Sequence, residues 1–132
     1  MLKASPELLL LGCAILVGLV QLLWATIAAR LQQGVQWGAG PRDEAMPLSG
    51  GAGRLARSLV NFQETFPLHA AAVVLVYLLA KTGPITLWGS GLYVIGRALH
   101  PAMYYLSIPW TRTLVWFIAF TGTLMVVSAI FL

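Results

Sequence analysis

Four polar residues recur at helical spacing inside an otherwise apolar stretch: Arg54, Arg57, Asn61 and Glu64. Steps of three and four put two guanidiniums, an amide and a carboxylate on one stripe of a helix. A second stripe of Arg97, His100 and Tyr104 offers a cation, a titratable ring and a hydroxyl. Arg112 opens a further apolar run, where the helix dipole disfavours a cation. That placement makes sense if the helix end holds an anion, on which free backbone N–H groups and the guanidinium converge. A thiolate held there would be stabilised in its ionised form, raising the population of the nucleophile near neutrality. Metal and serine-hydrolase chemistry lack their parts, because the chain has no His-Glu-x-x-His, Cys-x-x-Cys or Gly-x-Ser-x-Gly, and Asp43, its one aspartate, sits among glycines.

Each of these residues also has a plain structural role open to it. Glu64 could pair with Arg57 or with Arg97 of a neighbouring helix. Arg54, Arg57 and Arg112 could be headgroup anchors, His100 a packing residue, and Tyr104 or Tyr105 part of an aromatic belt. Asn61 is harder to explain this way, since an amide in a nearly dry site needs a partner on another helix or a polar ligand.

The surroundings that must position these side chains are those of a membrane. Of 132 residues, 59% are hydrophobic and 9% charged, with a mean hydropathy of +0.84. Soluble domains carry charge on about a quarter of their residues. The fold expected is therefore an all-α membrane protein, a bundle of roughly four spanning helices of about 20 residues each. So small a protomer has little interior, which puts a buried polar site between subunits. The net charge of +4 fits Lys and Arg at a cytoplasmic face and does not point to nucleic acid. The single Cys13 excludes a disulfide within one chain.

One domain, 1–132, is expected, with helices at about 7–32, 54–81, 84–107 and 111–132. The uncharged run 8–29 is longer than the core of a signal peptide and reads as a span. Residues 34–53, rich in glycine with Pro41 and Pro47, read as a connection. Pro67 leaves the Gln63 carbonyl without its helical donor, predicting a kink or a side-chain partner beside Glu64, and Pro101 does the same to the carbonyl of Arg97. His69 lies well round the helix from Asn61 and Glu64, in a packing or gating position. Trp37, Trp88, Trp110 and Trp116 fall near helix ends as interface anchors. Lys3 and Lys81 fall on one side and Arg30, Arg42, Arg54, Arg57 and Arg112 on or near the other, which puts both termini outside the cytoplasm.

Two blocks carry a family likeness. Arg57-Ser-Leu-Val-Asn61-Phe-Gln-Glu64-Thr-Phe-Pro67 and Gly96-Arg97-Ala-Leu-His100-Pro-Ala-Met-Tyr104, followed by Arg112, resemble the second-, third- and fourth-helix patterns of the MAPEG family, membrane-associated proteins in eicosanoid and glutathione metabolism. The likeness runs over nearly the whole chain and is nearest to the bacterial-type, microsomal glutathione transferase-like members, which implies a multi-pass protein of a bacterial inner membrane. It implies a homotrimer of four-helix protomers, with glutathione as cosubstrate between adjacent subunits near the cytoplasmic face. Arg57, Asn61, Glu64, Arg97, His100 and Tyr104 would hold the tripeptide, Arg112 would sit beside its sulfur as the catalytic residue, and Arg30 matches a position where some members add a cation. The implied partners are further copies of the chain, membrane lipids and a lipophilic electrophile. Thr65 stands where some members have Tyr, and the turn before Arg112 differs in length from the eicosanoid synthases; both departures point away from eicosanoid substrates. Two rivals differ in class: a lipid-binding or scaffold member without turnover, and a small multidrug exporter. An exporter is expected to embed a glutamate in its first helix, whereas Glu7 lies at the entrance of this one.

Overall fold

The computed structural model describes residues 4–132, and among these the secondary structure is entirely helical. Lys3, one of the two cations on the expected outer side, lies outside the described residues. Helix α1 (Pro6–Gln33) opens where the Ser5 hydroxyl accepts a hydrogen bond from the Leu8 amide at 3.3 Å, with Pro6 at a position that needs no N–H donor. A short α2 (Val35–Ala39) follows, then α3 (Gly50–Leu78), α4 (Pro84–Leu106) and α5 (Thr111–Phe131). Helices α1, α3 and α5 are each long and apolar enough to cross a membrane. Helix α4 packs against all three.

Polar ties at the two ends show that the four long helices alternate in direction. At one end Thr86, in the first turn of α4, donates to buried Glu7 of α1 at 2.7 Å, and Lys81 donates to the Ile130 carbonyl of α5 at 2.7 Å. At the other, Gln32 of α1 holds Ser49 with both halves of its amide: its carbonyl accepts from the Ser49 N–H at 2.9 Å and its NH2 donates to the Ser49 hydroxyl at 3.1 Å. Arg54 donates from Nε to the Tyr105 carbonyl at 3.0 Å, capping the end of α4. The apolar core of Ala72, Val73, Val76, Val126 and Ala129 lies toward the first end, between α3 and α5. The arginines gather at the second.

One local feature differs from the sequence expectation. The 34–53 connection contains α2 and yields to α3 at Gly50, four residues before Arg54, because it is folded on its own polar contacts. Gln33 donates to the Met46 carbonyl at 2.6 Å and Trp37 donates from its indole to the Glu44 carbonyl at 2.9 Å. A side chain at Gly51 would run into the Tyr105 ring, so glycine here lets α3 start against the end of α4. Helix α3 includes Pro67, and Thr65 beside it donates to the Phe62 carbonyl at 3.3 Å. His69 is a packing residue: it stacks on Tyr93 with centroids 3.8 Å apart and lies 3.1 Å from the Thr123 hydroxyl, joining α3, α4 and α5.

Helices α4 and α5 meet along a seam of small residues, Gly89 and Gly96 against Ala119 and Gly122. A methyl group at Gly122 would sit 2.8 Å from the Tyr93 amide nitrogen and collide with the Gly89 carbonyl. Gly91, one face round on α4, has nothing within 4 Å. Gly122→Ala is therefore expected to destabilise the bundle by about 2 kcal/mol through overpacking. Gly91→Ala should leave it unchanged or raise its stability by up to ~1 kcal/mol, the gain in helix propensity. Apparent melting temperatures of the two variants in one detergent check the pair.

Candidate functional site

At the arginine-rich end, α3, α4 and the first turns of α5 border an open cavity of about 600 Å³. Arg57, Asn61 and Glu64 line it from α3, His100 and Tyr104 from α4, and Arg112 from α5. Helical periodicity accounts for each group of wall residues, since positions 57, 61 and 64, like 100 and 104, are one turn apart. Pairing of the two groups is tertiary.

Tyr104 organises the cations. The Arg57 guanidinium carbon lies 5.9 Å and that of Arg112 5.1 Å from its ring centroid, so one aromatic ring attracts two like charges to one site. Arg112 reaches the ring because the chain reverses tightly between α4 and α5. Ser107 and Trp110 both take left-handed backbone angles, with φ of 56° and 68°, at a cost of roughly 1–2 kcal/mol each. The turn is closed by the Thr111 amide donating to the Pro109 carbonyl at 2.9 Å and its hydroxyl donating to the Ile108 carbonyl at 2.9 Å.

Arg97 is fully buried and stands behind the cavity wall. Its Nη1 donates to the Asn61 side-chain oxygen at 2.8 Å, and its guanidinium lies 5.5 Å from the Phe62 ring centroid. Its Nε and Nη2 have no acceptor among the described residues. It thus acts on the large cavity through Asn61, while lining a smaller, mostly apolar cavity of about 180 Å³ next to it. Trp116, expected as an interface anchor, is a wall of both cavities and stacks on Phe120 at 5.0 Å. The ion pair expected between Glu64 and Arg57 or Arg97 does not form among the described residues. Asn61 takes the Arg97 N–H that faces α3, and Glu64 stays unpaired on the cavity wall.

Two residues given no role by sequence reasoning stand behind His100. Ser58 Oγ is 2.7 Å from His100 Nδ1, and Gln21 of α1 donates to the same Ser58 oxygen at 2.9 Å. All three side chains are buried. Gln21 was detectable as the only side-chain amide in the uncharged run 8–29, where such a group requires a partner. Ser58 gave no such signal.

Two further arginines of the sequence analysis, Arg54 and Arg30, lie away from this cavity. Arg54 caps α4. Arg30 donates to Gln33 at 2.9 Å and lies 5.5 Å from the Trp37 ring centroid, outside the cavity of its own chain.

A family model, the MAPEG family, matches residues 9–132, which takes in all five helices except the first turn of α1. The chain belongs to the MAPEG family. No curated protein and no solved structure matches it. MAPEG proteins are membrane proteins, in keeping with the three long apolar helices, and the family generally uses glutathione. Every residue that lines the large cavity falls inside the matched segment of this MAPEG chain.

The Arg97–Asn61 bond ties α3 to α4 at a buried charge, and Asn61→Leu would leave that guanidinium with no hydrogen bond to the described protein. Loss of a charge-assisted bond of this kind is expected to cost about 2–3 kcal/mol. Denaturant titration of helicity in mixed micelles measures it, with Gln63→Leu on the exposed side of α3 as the control.

Proposed function

We propose that this MAPEG protein is a glutathione-dependent transferase or peroxidase acting on lipophilic electrophiles that enter from the bilayer. The observation that carries the reading is the cavity itself. Six of the residues that resemblance assigns to glutathione line one concavity of about 600 Å³, within the ~300–1,000 Å³ of small-molecule sites. Its charges suit the tripeptide: Arg57 and Arg112 for carboxylate and thiolate, unpaired Glu64 for the ammonium, and Asn61 and His100 for the peptide groups.

In this reading Arg112 is the catalytic residue. Its guanidinium and the open N–H groups of the first turn of α5 stabilise the thiolate, and the other wall residues fix the tripeptide so that the sulfur meets the electrophile in one geometry. Helix α4 is the fourth span, since its 23 residues extend about 35 Å and both Arg97 and His100 are buried by neighbouring helices. The protomers form a homotrimer in which the open side of the cavity is closed by an adjacent subunit. Exposed Val60 and Leu68 flank unpaired Glu64 on that side, and Arg30 would come to the site from the neighbouring copy. The arginine-rich end faces the cytoplasm of a bacterial cell, with both termini outside.

Purified protein saturated with glutathione should develop the ultraviolet absorbance of a thiolate, and Arg112→Ala should abolish it while glutathione still binds. Binding without such a band in the unmodified protein would sink the activation mechanism. Arg57→Ala is expected to raise KM for glutathione about tenfold or more, the loss of one charge-assisted bond, with a smaller change in kcat. Arg112→Ala should instead lower kcat. Saturable lipid binding with conjugation at the uncatalysed rate would favour a scaffold.

A further inference from the structure

The geometry points to Gln21 and Ser58 as positioning residues that hold His100 as a neutral imidazole with its proton on Nε2, the edge left for a ligand in the large cavity. Three buried side chains from three helices converge here: Gln21 Nε2 to Ser58 Oγ at 2.9 Å, and Ser58 Oγ to His100 Nδ1 at 2.7 Å. A serine hydroxyl has one hydrogen. Its oxygen could accept from both Gln21 and a protonated Nδ1, but the buried hydroxyl hydrogen would then have no acceptor among the described residues. With the Gln21 NH2 donating, that hydrogen is therefore turned to His100, and Nδ1 becomes an acceptor. The proton of the neutral ring then sits on Nε2, because a second-partner bond at one nitrogen decides the state of the other.

The direction of the chain follows from what each alternative leaves stranded. As drawn, the buried atom of the three side chains without a partner among the described residues is Gln21 Oε1, a single acceptor. Reversing it, with Nδ1–H donating to Ser58 and Ser58 donating to a flipped amide, would satisfy that oxygen but strand an NH2 with two hydrogens. Orphaned buried donors are rarer than under-used carbonyl oxygens. Ser90 supplies the contrast: its buried hydroxyl on α4 has no partner among the described residues, so it exerts no such control.

His100 is thereby a fixed hydrogen-bond donor in the cavity wall, suited to a carbonyl or carboxylate oxygen of the bound molecule. Helix α1 contributes to the site through this chain although Gln21 does not line the cavity. The orienting role stands independently of which ligand binds; its effect on affinity rests on the glutathione reading.

The test uses the full chain in lipid bilayers with nitrogen-15 histidine. There are two histidines, and the His100 signals are identified by their loss in His100→Asn. Solid-state NMR without ligand is expected to find Nδ1 bare and Nε2 protonated. Ser58→Ala and Gln21→Leu should each populate a second tautomer, while Ser58→Thr and Ser90→Ala keep one. A protonated Nδ1 in the unmodified protein, or an unchanged single tautomer in both Ser58→Ala and Gln21→Leu, overturns the proposal. With glutathione as the probe, Ser58→Ala should weaken binding about tenfold, the value of one hydrogen bond, raise KM and leave kcat within about twofold, with Ser58→Thr restoring affinity. If the unmodified protein has the expected tautomer and binds no glutathione, the glutathione reading fails and the positioning of His100 stands.

Discussion

The hydrogen bond from Arg97 to Asn61 is the contact on which the rest of the polar end depends. A guanidinium without solvent exposure in an apolar bundle is costly, and each donor that finds an acceptor lowers that cost. One nitrogen is met by Asn61, across the α3–α4 boundary. That bond sets the rotation of α3 about its axis: once Asn61 faces Arg97, Arg57 and Glu64, each one turn away, border the same concavity, and Ser58 is carried inward toward His100. The remaining Arg97 donors, on Nε and Nη2, are buried with no acceptor among the described residues.

The two ends of the bundle divide the work of holding the protein together and of forming a site. Toward the Glu7–Thr86 end, aliphatic side chains of α3 and α5 interlock. Along α4 and α5, glycine and alanine bring two backbones into close approach, which in a membrane gains through packing what water would otherwise drive. The close seam delivers the N-terminus of α5 to the arginine-rich end beside Tyr104, through a turn whose left-handed residues are held by local hydrogen bonds. Strain concentrated next to Arg112 is a reason to look for function there, since such conformations persist where the surrounding structure over-determines them.

Within the opening stripe the roles separate. Arg54 spends its Nε on a main-chain carbonyl of α4 and is structural. Arg57, Asn61 and Glu64 face the cavity, and Trp116 divides that polar space from the mostly apolar one where Arg97, Tyr93 and Phe120 lie.

Local periodicity and composition were enough to determine the membrane class, the helical content and the faces on which Arg57, Asn61, Glu64, His100 and Tyr104 lie, because those properties depend on the chain within a turn or two. The family likeness was legible for the same reason, as spacing within single helices. What neighbours those faces meet was decided only by tertiary structure. Nothing in the spacing says that Arg97 turns behind the wall, that Trp116 lines two cavities, that Arg30 stays with Trp37, or that Gln21 reaches across to Ser58 and His100. These outcomes follow from the rotation and approach of whole helices, set by a buried charge needing an acceptor and by glycines too small to hold two backbones apart.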